Sequence, residues 1–123
     1  VVVLLAVSDE EPGPVLAIER QHGLWRAGID VAGPVDLELL MTAPSVPTRY
    51  VGELGDPATD LGLIRRFDPM RSVADLDVPL FVYQGIHDGR VPRRHADELV
   101  GSLRARGAAV ELMLAEHEGH TLS

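Results

Sequence analysis

Apolar residues gather in four short runs separated by longer mixed stretches, and their spacing changes along the chain. Val1–Val7 is continuously apolar and rich in β-branched residues, the pattern of a strand buried on both faces. Ser8–Pro14 interrupts it with acids, two prolines and a glycine. Val15–Gln21 is largely apolar and predicts a short helix. Ala27–Ala32 predicts a second buried strand, stopped by Gly33-Pro34. Pro79–Gln84 and Val110–Leu114 supply the third and fourth strands. Between these two, Ala96, Leu99, Val100 and Leu103 recur at helical spacing. With arginines in its last turn and Gly107 just beyond, that segment predicts a helix over Val91–Arg106.

The stretch from Val35 to Val78 is less regular. Val35–Met41 suggests a short helix, and Ala43–Pro47, with two prolines, a loop. Pro57–Arg66 fits a helix with Asp56 as N-cap and proline at the first helical position. Strands that alternate with helices imply right-handed crossovers and a parallel sheet. The expected fold is therefore α/β, about four parallel strands with flanking helices, with residues 1–123 forming a single domain. Trp25 and Phe81 are expected in the core or between helix and sheet.

Composition narrows the function. A chain of 123 residues can bury one core. Its net charge of −8 repels phosphate backbones, and it has no basic cluster with interleaved aromatics, so a nucleic-acid partner is not expected. The longest apolar run, Val1–Val7, is far short of the roughly 20 residues of a membrane span. It also lacks the basic lead and cleavage site of a signal peptide. Zero cysteines exclude disulfides and thiolate chemistry and fit a cytoplasmic location. The start at Val1 rather than Met suggests that more chain precedes it.

In open parallel sheets, ligands bind beyond the carboxyl ends of the strands. Three loops there carry reactive side chains: Ser8 after the first strand, Gly85-Ile86-His87-Asp88 after the third, and Glu116-His117-Glu118-Gly119-His120 after the fourth. The chain order Ser, Asp, His is that of an α/β-hydrolase triad. There a carboxylate orients an imidazole, which takes the proton of the attacking serine. Read more plainly, Asp88 could be a turn former and His120 a surface residue of the tail. His87 and His117 are expected to be exposed. His87, Asp88, His117, Glu118 and His120 offer metal donors, but His-Glu-Gly-His is one residue short of the zinc-protease motif. No metal and no cofactor are expected.

Longer stretches carry a family resemblance. Leu24–Gly33 (LWRAGIDVAG), Gly55-Asp56-Pro57 and Asp68-Pro69 resemble the region after the nucleophile helix in prolyl oligopeptidase (S9) family serine peptidases. Pro79–Pro92 (PLFVYQGIHDGRVP) resembles that family's acid loop. Leu103–Gly107 (LRARG) with Glu118-Gly119-His120 resembles its final helix and histidine loop. The resemblance runs from about Val15 to Ser123. It implies a partial α/β-hydrolase fold, the C-terminal half of the catalytic domain, with Asp88 as triad acid and His120 as base. It also implies a peptide or acyl-peptide substrate.

Ser8 is the positional nucleophile, in a turn that departs from Gly-x-Ser-x-Gly. Ala6 and Glu10 stand where the glycines belong, and Asp9 places a carboxylate near the amide expected to stabilise the oxyanion. By the resemblance, further strands, an oxyanion donor and usually a β-propeller lie outside this chain. The isolated chain is then expected to be poorly active and to form a homodimer through an exposed first strand. Two alternatives stay open: a non-catalytic remnant or interaction module of the same fold, and a related esterase.

Overall fold

The computed structural model describes residues 3–7, 13–42 and 48–120. Four parallel strands run in the order β1 (Val3–Val7), β2 (Ala27–Val31), β3 (Leu80–Gly85) and β4 (Val110–Ala115). Spatial order follows chain order, so every connection is a crossover that returns the chain to the same end of the sheet. The α/β reading of the hydrophobic pattern holds, and so do all four strands.

Helix α1 (Gly13–Arg20) and helix α5 (Arg94–Ala105) share the main core. Val15 and Ile18 of α1 meet Leu80 and Val82 of β3, and Ala96, Leu99, Val100 and Leu103 of α5 complete the cluster. The periodicity of α5 predicts these four residues as its buried stripe. Gly28 permits the close approach of α1: a Cβ there would fall 2.5 Å from Ile18 Cδ1 and 2.9 Å from Leu80 Cδ1. Trp25 packs against this cluster as expected. Phe81 does not. It alternates to the other face of the sheet, where it is 38% exposed.

The irregular middle builds a second small core from Leu37, Leu40 and Met41 of α2 (Leu37–Met41), Tyr50 of α3 (Thr48–Leu54) and Ile64 of α4 (Leu61–Arg66). The sequence pattern gives no sign of α3, and it misplaces the start of α4. Asp56 closes a turn instead of capping a helix: its Oδ1 accepts from Ala58 N at 2.8 Å, and its carbonyl accepts from Thr59 N and Asp60 N. Gly55, at φ +100°, leaves room for the Asp60 side chain, whose Oδ2 accepts from Asp56 N at 2.9 Å. The helix therefore begins only at Leu61. Two 3₁₀ turns, Pro69–Arg71 and Val73–Asp75, then lead to β3. Buried Asp68 caps the first of them through Met70 N and also accepts from Glu38 N, which ties it to α2.

One strand residue breaks the apolar rule. Asp30 of β2 is buried in the sheet, and its Oδ1 has no hydrogen-bond partner among the described residues. Burial pushes its carboxyl up to about 7, opposed only in part by a bond from the Gly33 amide. Glu19 of α1 is raised to about 7, again chiefly by burial, although Ser72 Oγ donates to it at 2.6 Å. Both groups hold their protons more tightly folded than unfolded. Their contribution to stability is full below about pH 4 and is lost as pH rises through about 7. Asp30→Asn should therefore match the wild type near pH 4 and exceed it by about 4 kcal/mol at pH 8. Urea unfolding at the two pH values checks this, and equal differences at both would contradict it.

Candidate active site

The loops after β3 and β4 meet at the carboxyl end of the sheet. Asp88 lies three residues beyond β3, with its side chain fully buried. Its Oδ1 accepts from the backbone amides of Arg90 and Val91, each at 2.8 Å. Asp88 is therefore a turn former as well, and the turn fixes its carboxylate plane. Its Oδ2 faces His120 Nδ1 at 2.8 Å. An ionised carboxylate only accepts hydrogen bonds, so this contact places the ring proton on Nδ1. His120 is largely covered but keeps an open edge, its side chain 14% exposed. An acid buried behind an accessible imidazole is the arrangement a general base requires.

Backbone contacts bring the two loops together. Ile86 N donates to Ala115 O at 3.0 Å, and His87 N donates to Glu118 O at 3.1 Å. Gly85 makes the crossing possible. A Cβ built on it would lie 2.6 Å from Glu118 O and closer still to Gly119 O. Only a residue without a side chain lets the histidine loop lie across the end of β3.

Gln84, the last side chain of β3 before that glycine, is the polar residue beneath the acid loop. Its Nε2 lies 2.9 Å from Val91 O, 3.1 Å from Gly85 O and 3.4 Å from Asp88 Oδ2. In the hydrophobic pattern Gln84 is simply the end of an apolar strand. The available signal is an amide closing an otherwise hydrophobic run, directly before a glycine.

A second buried imidazole supports the loop after β2. Asp36, the N-cap of α2, donates its backbone amide to His95 Nδ1 of α5 at 3.2 Å. Burial lowers the pKa of His95 and so favours the neutral ring, and the bond from Asp36 N makes Nδ1 its acceptor nitrogen. This links the helix behind the acid loop to the neighbouring strand-end loop.

Of the three residues expected to act together, the structure brings Asp88 and His120 into contact. Ser8 lies outside the described residues, as do Asp9, Glu10 and Glu11. It follows Val7, the end of β1, which pairs with Val31 at the same end of the sheet. His87 and His117 are exposed, as expected. Among the described residues, no group of three or more His, Cys, Asp or Glu side chains is arranged to hold a metal ion. Among them, too, no helix is long and apolar enough to cross a membrane.

Comparison with known proteins agrees with this architecture. The model of the prolyl oligopeptidase family matches residues 15–123. A puromycin-hydrolysing peptidase from Mycobacterium tuberculosis superposes with a TM-score of 0.88 at 19% identity, over 97% of this chain and 18% of its own. An acylaminoacyl peptidase from Pyrococcus horikoshii gives 0.83 at 17% identity, over 96% and 19%. Oligopeptidase B from Leishmania major gives 0.74 at 22% identity, over 86% and 16%. The chain thus spans less than a fifth of the length of each of these structures. A search of curated proteins by sequence returns no match.

Proposed function

This chain belongs to the prolyl oligopeptidase family, and from that membership we propose that it is the C-terminal half of a serine peptidase catalytic domain, hydrolysing peptide or acyl-peptide bonds through Ser8, Asp88 and His120. The observation that carries this reading is the 2.8 Å contact between buried Asp88 and His120 Nδ1 at the carboxyl end of the parallel sheet. In the reaction, His120 Nε2 takes the Ser8 hydroxyl proton as Oγ bonds to the substrate carbonyl carbon. The amide C–N bond breaks and the leaving nitrogen receives that proton. Water, deprotonated by the same imidazole, then releases the acyl group and regenerates Ser8. Asp88 holds Nδ1–H throughout and supports the transient imidazolium.

Two further parts of the reading are a cytoplasmic location, supported by the absence of cysteine, and a homodimer through β1. β1 ends the described sheet, and its outer side has no partner strand among the described residues. Such an edge favours pairing with a second copy.

A fluorophosphonate probe tests the chemistry. Labelling of the protein that disappears in Ser8→Ala is the expected result, with sedimentation of the same sample reporting a dimer. Absence of labelling in the unmodified protein would favour a second reading, a non-catalytic interaction module of the same fold. Asp9 and Glu10 beside Ser8 are the observation on its side. A clean monomer would remove the edge-paired dimer.

A further inference from the structure

The side chains of β3 that face α5 are Leu80 and Val82, and Gln84 follows them on the same face, 1% exposed. A third hydrophobe at this position would extend the core without cost. A buried primary amide instead forfeits hydration unless its hydrogens find acceptors. Gln84 Nε2 has two hydrogens and three oxygens within reach. Val91 O, the nearest, closes the acid loop from below, and Gly85 O and Asp88 Oδ2 share the other side. Asp88 therefore meets donors from two directions: backbone amides on Oδ1, and the Gln84 amide on the oxygen that faces His120. The amides hold Oδ1 and leave the aim of Oδ2 to its own contacts, His120 Nδ1 and Gln84 Nε2. A donor on Oδ2 opposes a change in that aim.

We propose that Gln84 is a positioning residue of the site, and that its Nε2 holds Asp88 Oδ2 on His120 Nδ1 and so selects the tautomer that leaves His120 Nε2 able to accept a proton. This deepens the peptidase reading and rests on it for its catalytic consequence, although the tautomer effect can be read without turnover.

The experiment uses the full chain labelled with ¹⁵N and multiple-bond ¹H–¹⁵N spectra of the histidine rings. These spectra distinguish Nδ1–H from Nε2–H. The wild type should show His120 as the Nδ1–H form. Gln84→Met keeps the outline and removes both donors. It should move at least half of the His120 population to the other tautomer and, where hydrolysis is measured, lower kcat on the order of tenfold to a hundredfold with KM unchanged. Gln84→His returns a ring N–H to the same depth and should restore the Nδ1–H form. Gln84→Asn keeps the amide but withdraws it by one methylene, and it gives the same reading should the methionine variant not fold. A variant that loses thermal stability while the His120 tautomer and kcat stay those of the wild type would overturn the proposal and leave Gln84 a structural brace. Absence of fluorophosphonate labelling in the wild type, with a His120 tautomer that still follows residue 84, would sink the peptidase reading alone.

Discussion

On the proposed peptidase reading, replacing Asp88 with asparagine is expected to lower kcat by about 10³–10⁴-fold while the domain stays folded. The two groups have the same outline, so the substitution leaves no cavity and creates no overlap. Val91 N and Arg90 N still need an acceptor, and the asparagine Oδ1 satisfies both at the position where the carboxylate now does. The amide NH₂ must then face His120. A nitrogen there donates, so His120 Nδ1 has to accept, and the ring proton moves to Nε2. The atom that should receive the serine proton is then already protonated. Fold and loop contacts survive, but the base is blocked. Steady-state kinetics on an ester or peptide substrate, with thermal unfolding of the same samples, checks both halves. A variant that keeps wild-type turnover would remove Asp88 from the mechanism. A variant that unfolds would assign it to loop structure instead.

Much of this geometry is legible in the sequence because it depends on local patterns. Strand runs separated by a periodic helix announce a parallel sheet, and such a sheet places Asp88 and His120 at one end. Other features depend on side-chain contacts that the hydrophobic pattern does not encode. The Asp56-Pro57 pair has the chemistry of a helix start, but Gly55 and Asp60 convert it into a turn and move α4 four residues onward. Helix α3 carries Gly52 and only a short apolar face, and its Tyr50 gains its burial from α2 and α4. Phe81 has the composition of a core residue, yet the period of the strand sends it outward. Asp30 and Gln84 share the opposite problem. Each sits in an apolar run that marks the strand correctly and conceals a buried polar group, whose partners lie in the turn that follows the strand: the Gly33 amide for Asp30, and Gly85, Asp88 and Val91 for Gln84.

Gly85→Ala should cost roughly 3 kcal/mol of stability and abolish the pairing of Asp88 with His120. Glycine is required here by space. Gly85 is not among the residues with positive φ, so its backbone would accept alanine without strain. What cannot accept it is the histidine loop. The new methyl group would occupy the space of the Glu118 and Gly119 carbonyl oxygens, which are backbone atoms with no rotamer to change. The loop must rise by more than an ångström, and the bonds Ile86 N to Ala115 O and His87 N to Glu118 O stretch or break. At a 2.8 Å contact, such a displacement removes the hydrogen bond that sets the His120 tautomer. Denaturant unfolding gives the stability difference, and the His120 ring nitrogen spectrum reports the lost pairing. The two effects separate the roles of the two halves of the site. Asp88→Asn leaves the loops docked and changes the chemistry, whereas Gly85→Ala leaves every reactive group in place chemically and removes the docking. If Gly85→Ala retained both wild-type stability and the Nδ1–H form of His120, the crossing at β3 would not be what holds the acid and the base together.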